Sequence, residues 1–170
     1  WMAYLTDVHS QRQFNHFNLV DIYALGGSGI GPFAPLSLDI PSGTAQWARE
    51  FFESHGRQQM PWMAVQVGAS DPLCDAVGRT TLPQLAAVLA QCRLLLTNDT
   101  GPMHLAVGAG IPVIDLSVGH VDFRETGPYG PGHWIVQPDM GCAPCGFDQV
   151  CLHHACKDRL VPDQIAALCQ

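Results

Sequence analysis

The spacing of apolar positions divides the chain into alternating helix-like and strand-like segments. Residues 3–25 carry apolar groups at loose helical spacing and stop at LGGSGIGPFAP, a Gly/Pro-rich breaker and linker. SLDIP (37–41) predicts a short strand, and Ser42-Gly43-Thr44 opens a predicted helix through TAQWAREFFESHG, stopped by Gly56. Trp47, Phe51 and Phe52 fall near one face of that helix, suited to packing on a sheet. Met63 to Val67 reads as a buried strand, with Gly68-Ala69-Ser70 as a tight turn after it. Thr80 or Thr81 caps a helix over LPQLAAVLAQC, with Pro83 in its first turn. RLLLTND then predicts a strand, TGPMHLAVGAG a short helix, and IPVIDLS another strand. A Gly- and His-rich loop, Val118 to His133, leads to a short strand at WIVQPD, and VPDQIAALC closes as a helix. Near-continuous apolar strands alternating with helices predict an α/β fold with a parallel sheet covered on both faces.

Composition narrows the partners. With 170 residues, 47% hydrophobic and 14% charged, the chain suits one globular domain, or one domain with a fragment of another. A net charge of −7 with eight Lys and Arg repels a nucleic-acid backbone, so nucleic acid is not an expected partner. A phosphorylated small molecule stays open, because backbone amides at a helix start hold phosphate without a basic patch. No apolar stretch approaches the roughly 20 residues that span a bilayer. The segment WMAYLTDVHSQRQF lacks the basic start and apolar core of a signal peptide, which makes a cytoplasmic location the expectation.

The candidate chemistry centres on TNDTGPMH, Thr97 to His104. Ligands of parallel α/β sheets gather beyond the carboxyl ends of the strands. Asp99 and Thr100 fall there, as do Gly68, Ala69 and Ser70. Thr100 and Gly101 open a helix whose first amides are unpaired and partly positive. Gly101 leaves room for a phosphate, and His104 lies one turn inside, able to face the same ligand. The plainer alternative is that Asp99 caps the helix and His104 is a satisfied, half-buried histidine. Polar residues His120, Asp122, Arg124 and Glu125 read as a solvated loop, with Arg124 as an alternative contact for a phosphorylated sugar.

TNDTGPMHLAVGAGIPVIDL, followed by GPYGPGH at Gly127 to His133, resembles the signature of glycosyltransferase family nine, the heptosyltransferases of lipopolysaccharide. VQVGAS near Val65, GRTTLPQLAAVLAQC and the Cys-rich tail add to the likeness, which covers roughly residues 60–170. The resemblance implies a Rossmann-like parallel sheet forming the C-terminal, nucleotide-sugar-binding half of a GT-B fold. Residues 1–35 would then be the tail of an N-terminal acceptor domain and a linker, and 36–170 the donor domain, with a Cys-rich loop at 141–156. By motif, Asp99, Thr100, Gly101 and His104 would line the sugar-diphosphate pocket. Gly68 and Ser70 would face the phosphates, and Thr80 and Thr81 would lie beside the adenine.

The implied reaction passes a heptose or related sugar from an ADP-activated donor to a lipopolysaccharide core or other glycan acceptor. It is an inverting displacement needing no cofactor, in which His104 stabilises the leaving group. The setting implied is the bacterial cytoplasm, peripheral to the inner face of the membrane. Three features depart from the family pattern. The general base belongs to the N-terminal half. Asp71 runs directly into Pro72 where a Lys-bearing segment would stand, and LSVGH places His120 where the family has a small hydroxyl residue. These departures keep open a non-catalytic nucleotide- or sugar-binding domain that has lost the base and the Lys.

Cysteine is the remaining signal. Four of the seven crowd into GCAPCGFDQVCLHHAC, as Cys142, Cys145, Cys151 and Cys156. Four thiolates at such spacing can close a structural zinc site or hold an iron–sulfur cluster. Disulfides and free thiols are the alternatives. Cys74, Cys92 and Cys169 lie in apolar contexts expected of core residues.

Overall fold

A computed structural model describes residues 18–26, 35–55, 61–66, 80–145 and 150–170. Its centre is a parallel sheet of β1 (Trp62–Val65), β2 (Cys92–Thr97), β3 (Val113–Leu116) and β4 (Trp134–Val136), side by side in chain order. The pairings Leu95↔Val113, Leu96↔Ile114 and Thr97↔Asp115 set the register of the middle strands. Before the sheet come helices α1 (Leu19–Gly26) and α2 (Ser42–Ser54). The helices α3 (Leu82–Leu89) and α4 (Gly101–Gly108) form the crossovers from β1 to β2 and from β2 to β3. Right-handed crossovers between strands in sequential order place both helices on one face of the sheet.

That face holds the core. Leu89 of α3 and Met103, Ala106 and Val107 of α4 meet Leu95 and Val113 of the sheet. Phe52, Trp62 and Ala64 pack against the same cluster. The rings of Phe52 and Trp62 lie 5.0 Å apart, and Trp47 stacks on Phe51 at 5.5 Å. Phe52 thus packs α2 on the sheet, while Trp47 and Phe51 stack on one another along the helix. Met63 and Val65 alternate to the other side of β1 and are exposed.

Local chemistry explains the helix starts. Thr81 caps α3 in a capping box with Gln84: the Thr81 hydroxyl accepts from the Gln84 amide, and Gln84 Oε1 accepts from the Thr81 amide at 2.9 Å. Asn18 Oδ1 accepts from the Val20 amide at the start of α1.

Two sequence expectations are corrected. SLDIP forms no strand. It crosses the end of α4, where the Leu38 amide donates to Gly108 O at 2.7 Å, a helix carbonyl and not a strand. The predicted loop 118–133 contains a short helix, α5 (Phe123–Thr126), capped by Asp122. A helix there buries Asp122 and Glu125, so this segment is not a solvated loop. The chain ends in α6 (Ala155–Asp158) and the expected closing helix, α7 (Pro162–Leu168).

Because the capping box satisfies amides that would otherwise lack partners, Thr81→Ala is expected to lower unfolding stability by about 1 kcal/mol. Urea titration of the two proteins, compared at their midpoints, checks this.

Candidate functional site at the strand ends

Strands β1, β2 and β3 all point their carboxyl ends the same way, so the starts of α3 and α4 meet at one edge. Three residues share the row at that edge. Thr97 pairs with Asp115, and Gln66 lies beside Thr97, its amide donating to Leu96 O at 2.9 Å. The row continues the helix-covered line of Ala64, Leu95 and Val113 by one pleat. Where that line is apolar farther back, it becomes polar here.

The polar groups are held by one another. The Thr97 and Thr100 hydroxyls each lie 3.2 Å from Gln66 Oε1, and both also reach Asn98 O. Thr100, not Asp99, occupies the N-cap of α4, and no side chain caps the helix. Asp99 turns instead toward α5, where its carboxylate accepts from the Thr126 hydroxyl. The plainer reading of Asp99 as a helix cap is therefore corrected. The Thr100 hydroxyl is engaged by the sheet, so it does not reach back to the helix amides.

Gly101 is exposed, and a Cβ built on it would meet nothing within 4 Å. Open space therefore lies over the first turn of α4. His104 is also exposed, one turn further along. Thr80 immediately precedes the exposed cap Thr81, whose hydroxyl is engaged with Gln84. Asp99, Thr100, Gly101 and His104 come together at this helix start, with Thr80 and Thr81 at the start of the neighbouring helix. Gly68 and Ser70 lie outside the described residues.

Sequence reasoning missed three contributors, Gln66, Asp115 and Thr126, and took a fourth, Asp122, for part of a solvated loop. Gln66 and Asp115 each interrupt an apolar strand run, and that interruption is the signal that marks them. Asp122 is fully buried and receives Arg124 twice, from Nε at 2.9 Å and from Nη2 at 2.7 Å. This bond, first of all, raises the Arg124 pKa above its ordinary value. Asp115 is fully buried with neither carboxylate oxygen hydrogen-bonded. Burial, then the charge of Asp99, pushes its carboxyl up to about 7.

GPYGPGH has a structural use. Gly130 and Gly132 adopt positive φ (100° and 88°), which other residues rarely do. The loop they shape lets Tyr129 donate to Asp21 on α1 at 2.6 Å, while Asn18 Nδ2 donates to Gly127 O at 3.3 Å. The bond to Asp21 is the main cause raising the Tyr129 pKa. At the far end of the loop, burial lowers the His133 pKa.

The cysteine cluster does not form the expected metal site. Among the described residues no group of three or more His, Cys, Asp or Glu side chains is placed to hold a metal ion. Cys142, Cys145, Cys151 and Cys156 are not joined in disulfides. Cys145 is instead tied to the β3–α5 loop, its amide donating to Gly119 O at 2.9 Å. Burial, and secondly the neighbouring Cys142, Cys151 and Cys156, raise its thiol pKa. Cys92 is buried in the core as expected, Cys169 is half-buried, and Cys74 lies outside the described residues.

A parallel sheet with helices crossing between its strands is a Rossmann-like arrangement, and in such folds ligands gather at the carboxyl edge, where the polar residues lie here. Residues 63–155 match the family model of glycosyltransferase family 9 (heptosyltransferase), and the chain belongs to that family. It is 32% identical over 96 residues to lipooligosaccharide heptosyltransferase 2 of Campylobacter jejuni, a match covering 55% of this chain and 28% of that protein. Two solved structures share the fold. The glycosyl transferase family 9 protein from Veillonella parvula superposes with a TM-score of 0.61 at 21% identity, over 72% of this chain and 49% of that one. ADP-heptose lps heptosyltransferase II of E. coli superposes with a TM-score of 0.54 at 17% identity, over 68% of this chain and 49% of that one. The matches thus span under a third of the Campylobacter relative and about half of each solved neighbour. No helix among the described residues is long and apolar enough to cross a membrane.

Asp115 makes stability depend on pH. Its carboxyl holds a proton up to about pH 7 when folded, against 3.8 for the unreacted group. The folded state therefore binds more protons between these values, and stability falls as pH rises through that window, then levels off. Asp115→Asn lacks the ionisable group, so its stability relative to wild type is expected to rise by on the order of 2–4 kcal/mol from pH 4 to pH 8. Urea unfolding of both proteins at the two pH values checks the sign.

Proposed function

We propose that residues 36–170 form the donor-binding half of a GT-B glycosyltransferase, with 1–35 as the tail of the acceptor domain and a linker. The enzyme transfers a heptose or related sugar from an ADP-activated donor to a lipopolysaccharide core or another glycan acceptor. The single observation that carries this reading is the start of α4. No side chain caps it, and it opens at Gly101 into free space at the strand ends. Its amide groups suit a diphosphate, which needs donors and partial positive charge rather than a basic patch. Family membership supports sugar transfer as the chemistry. The names of the Campylobacter relative and the E. coli neighbour support heptose, and the latter supports ADP as the carrier.

In this reading the diphosphate lies on the α4 start, with Gly68 and Ser70 as its second wall. Asp99 and Thr100 line the sugar side, and Thr80 and Thr81 lie beside the adenine. The reaction is an inverting displacement requiring no cofactor. His104 stabilises charge developing on the leaving diphosphate, a role that preorganised donors fill well. The acceptor is activated from the N-terminal half. The protein works in the cytoplasm, peripheral to the inner face of the membrane, where a lipid-linked core would present its hydroxyl groups.

Calorimetry of the full-length protein with ADP, ADP-heptose and other nucleotides, followed by a turnover assay, tests this. ADP-heptose is expected to bind and turn over. Gly101→Val, which fills the space over the helix start, is expected to weaken donor binding at least tenfold, the scale of about 1.4 kcal/mol. Binding without turnover supports a non-catalytic nucleotide-binding domain, and the absence of any nucleotide binding overturns both readings.

A further inference from the structure

Asp115 stands where a parallel sheet ordinarily carries an apolar residue. It follows Val113 along the helix-covered side of β3, pairs across with Thr97 and Ile135, and is 0% exposed. Its neighbours Thr97 and Ser117, also buried, both have hydrogen bonds, yet neither oxygen of Asp115 does. An ionised carboxylate in that position is costly, because burial removes water and nothing replaces it. A protonated carboxyl avoids most of that cost.

The surrounding charges point the same way. Facing elements carry Asp99 on the β2–α4 turn, His104 on α4, His120 after β3, and Asp122, Arg124 and Glu125 at α5. Of these, Asp99 bears on Asp115 and repels its charge. Arg124, the cation of the group, is bound to Asp122 through two nitrogens. Asp99 is itself fixed by Thr126. The strand ends therefore hold Asp99, half-buried, and Asp115, fully buried, whose charges repel. Whether Asp115 is charged decides how the site meets an anion.

We propose that Asp115 is a positioning residue for the strand-end pocket, and that its proton lets the pocket accept a diphosphate-bearing donor. With the proton in place, Asp115 adds no negative charge to that of Asp99 beside the partly positive start of α4. Once the proton passes to solvent, a second negative charge joins the first and opposes the diphosphate. Donor capture and proton retention are then linked: a bound diphosphate makes Asp115 harder to ionise. This rests on the donor reading above and adds a control to the same site.

The test uses the full-length protein and ADP-heptose, whose doubly esterified diphosphate has no group titrating near neutrality. Calorimetry from pH 6 to 8.5 at fixed ionic strength is expected to show wild-type affinity falling on the order of tenfold, the size of a like-charge contact partly screened by protein. Asp115→Asn, close in shape and never charged, is expected to lose markedly less affinity across that range. A purely structural role would change affinity equally at every pH. A flat wild-type profile, or a variant as steep as wild type, overturns the proposal while leaving the donor reading intact. Absence of ADP-heptose binding at every pH overturns the donor reading and this proposal with it. A second measurement compares the two proteins near pH 7 in buffers of different ionisation enthalpy: wild type is expected to take up a larger fraction of a proton with each donor bound than Asp115→Asn, and equal uptake overturns the proposal.

Discussion

The parallel register of β2 against β3 governs the rest of the molecule. Pairing Leu95 with Val113 and Thr97 with Asp115 gives both strands their helix side at the same positions. Parallel strands need a crossover between them, and α4 is that crossover. Its buried residues Met103, Ala106 and Val107 therefore land on Leu95 and Val113, and its first turn is carried to the strand ends. A shift of β3 by one residue against β2 would turn Asp115 to the opposite face and present Ile114 to α4 in its place. Core and candidate site are two ends of one packing arrangement.

Much of this was legible because strand and helix periods leave different traces. Continuous apolar runs marked β2 and β3, and Thr80 or Thr81 ahead of Pro83 marked the start of α3. Signals failed where a partner distant in sequence decides the outcome. SLDIP has strand composition, but a strand exists only beside another, and this segment meets the end of a helix. Asp99 looks like a helix cap until Thr126, 27 positions away, captures its carboxylate. Asp122 and Glu125 look solvated until α5 folds them inward. The site was legible as a place, through TNDTGPMH, and less so as a set of contacts. Gln66 and Asp115 were visible as polar interruptions, but their shared row depends on register. The cysteine spacing allowed a closed metal site, yet spacing constrains reach and not the direction of four thiols.

The two long motifs contribute unlike things. TNDTGPMH shapes the edge itself: its hydroxyls engage Gln66, and its helix start faces open space. GPYGPGH braces that edge from behind. Gly127 follows α5 so closely that a Cβ there would overlap Phe123 O, so this position is closed to any larger residue. The β3–α5 loop is likewise anchored, since Gly119 O holds the Cys145 amide. The thiol-rich segment therefore contributes to the site's surroundings through its backbone, whatever its sulfur chemistry.

The hydrogen bond from Tyr129 to Asp21 joins residues 108 positions apart. One of its ends lies in the loop that follows α5, and α5 carries the hydroxyl engaged with Asp99. The other end lies on α1, the helix leading into the Gly/Pro-rich breaker. Loop 127–132 cannot shift far without either losing this bond or dragging α1 along. The fold thus contains a mechanical coupling between the rim of the strand-end pocket and the incoming chain, so that a displacement at one is felt as a load at the other.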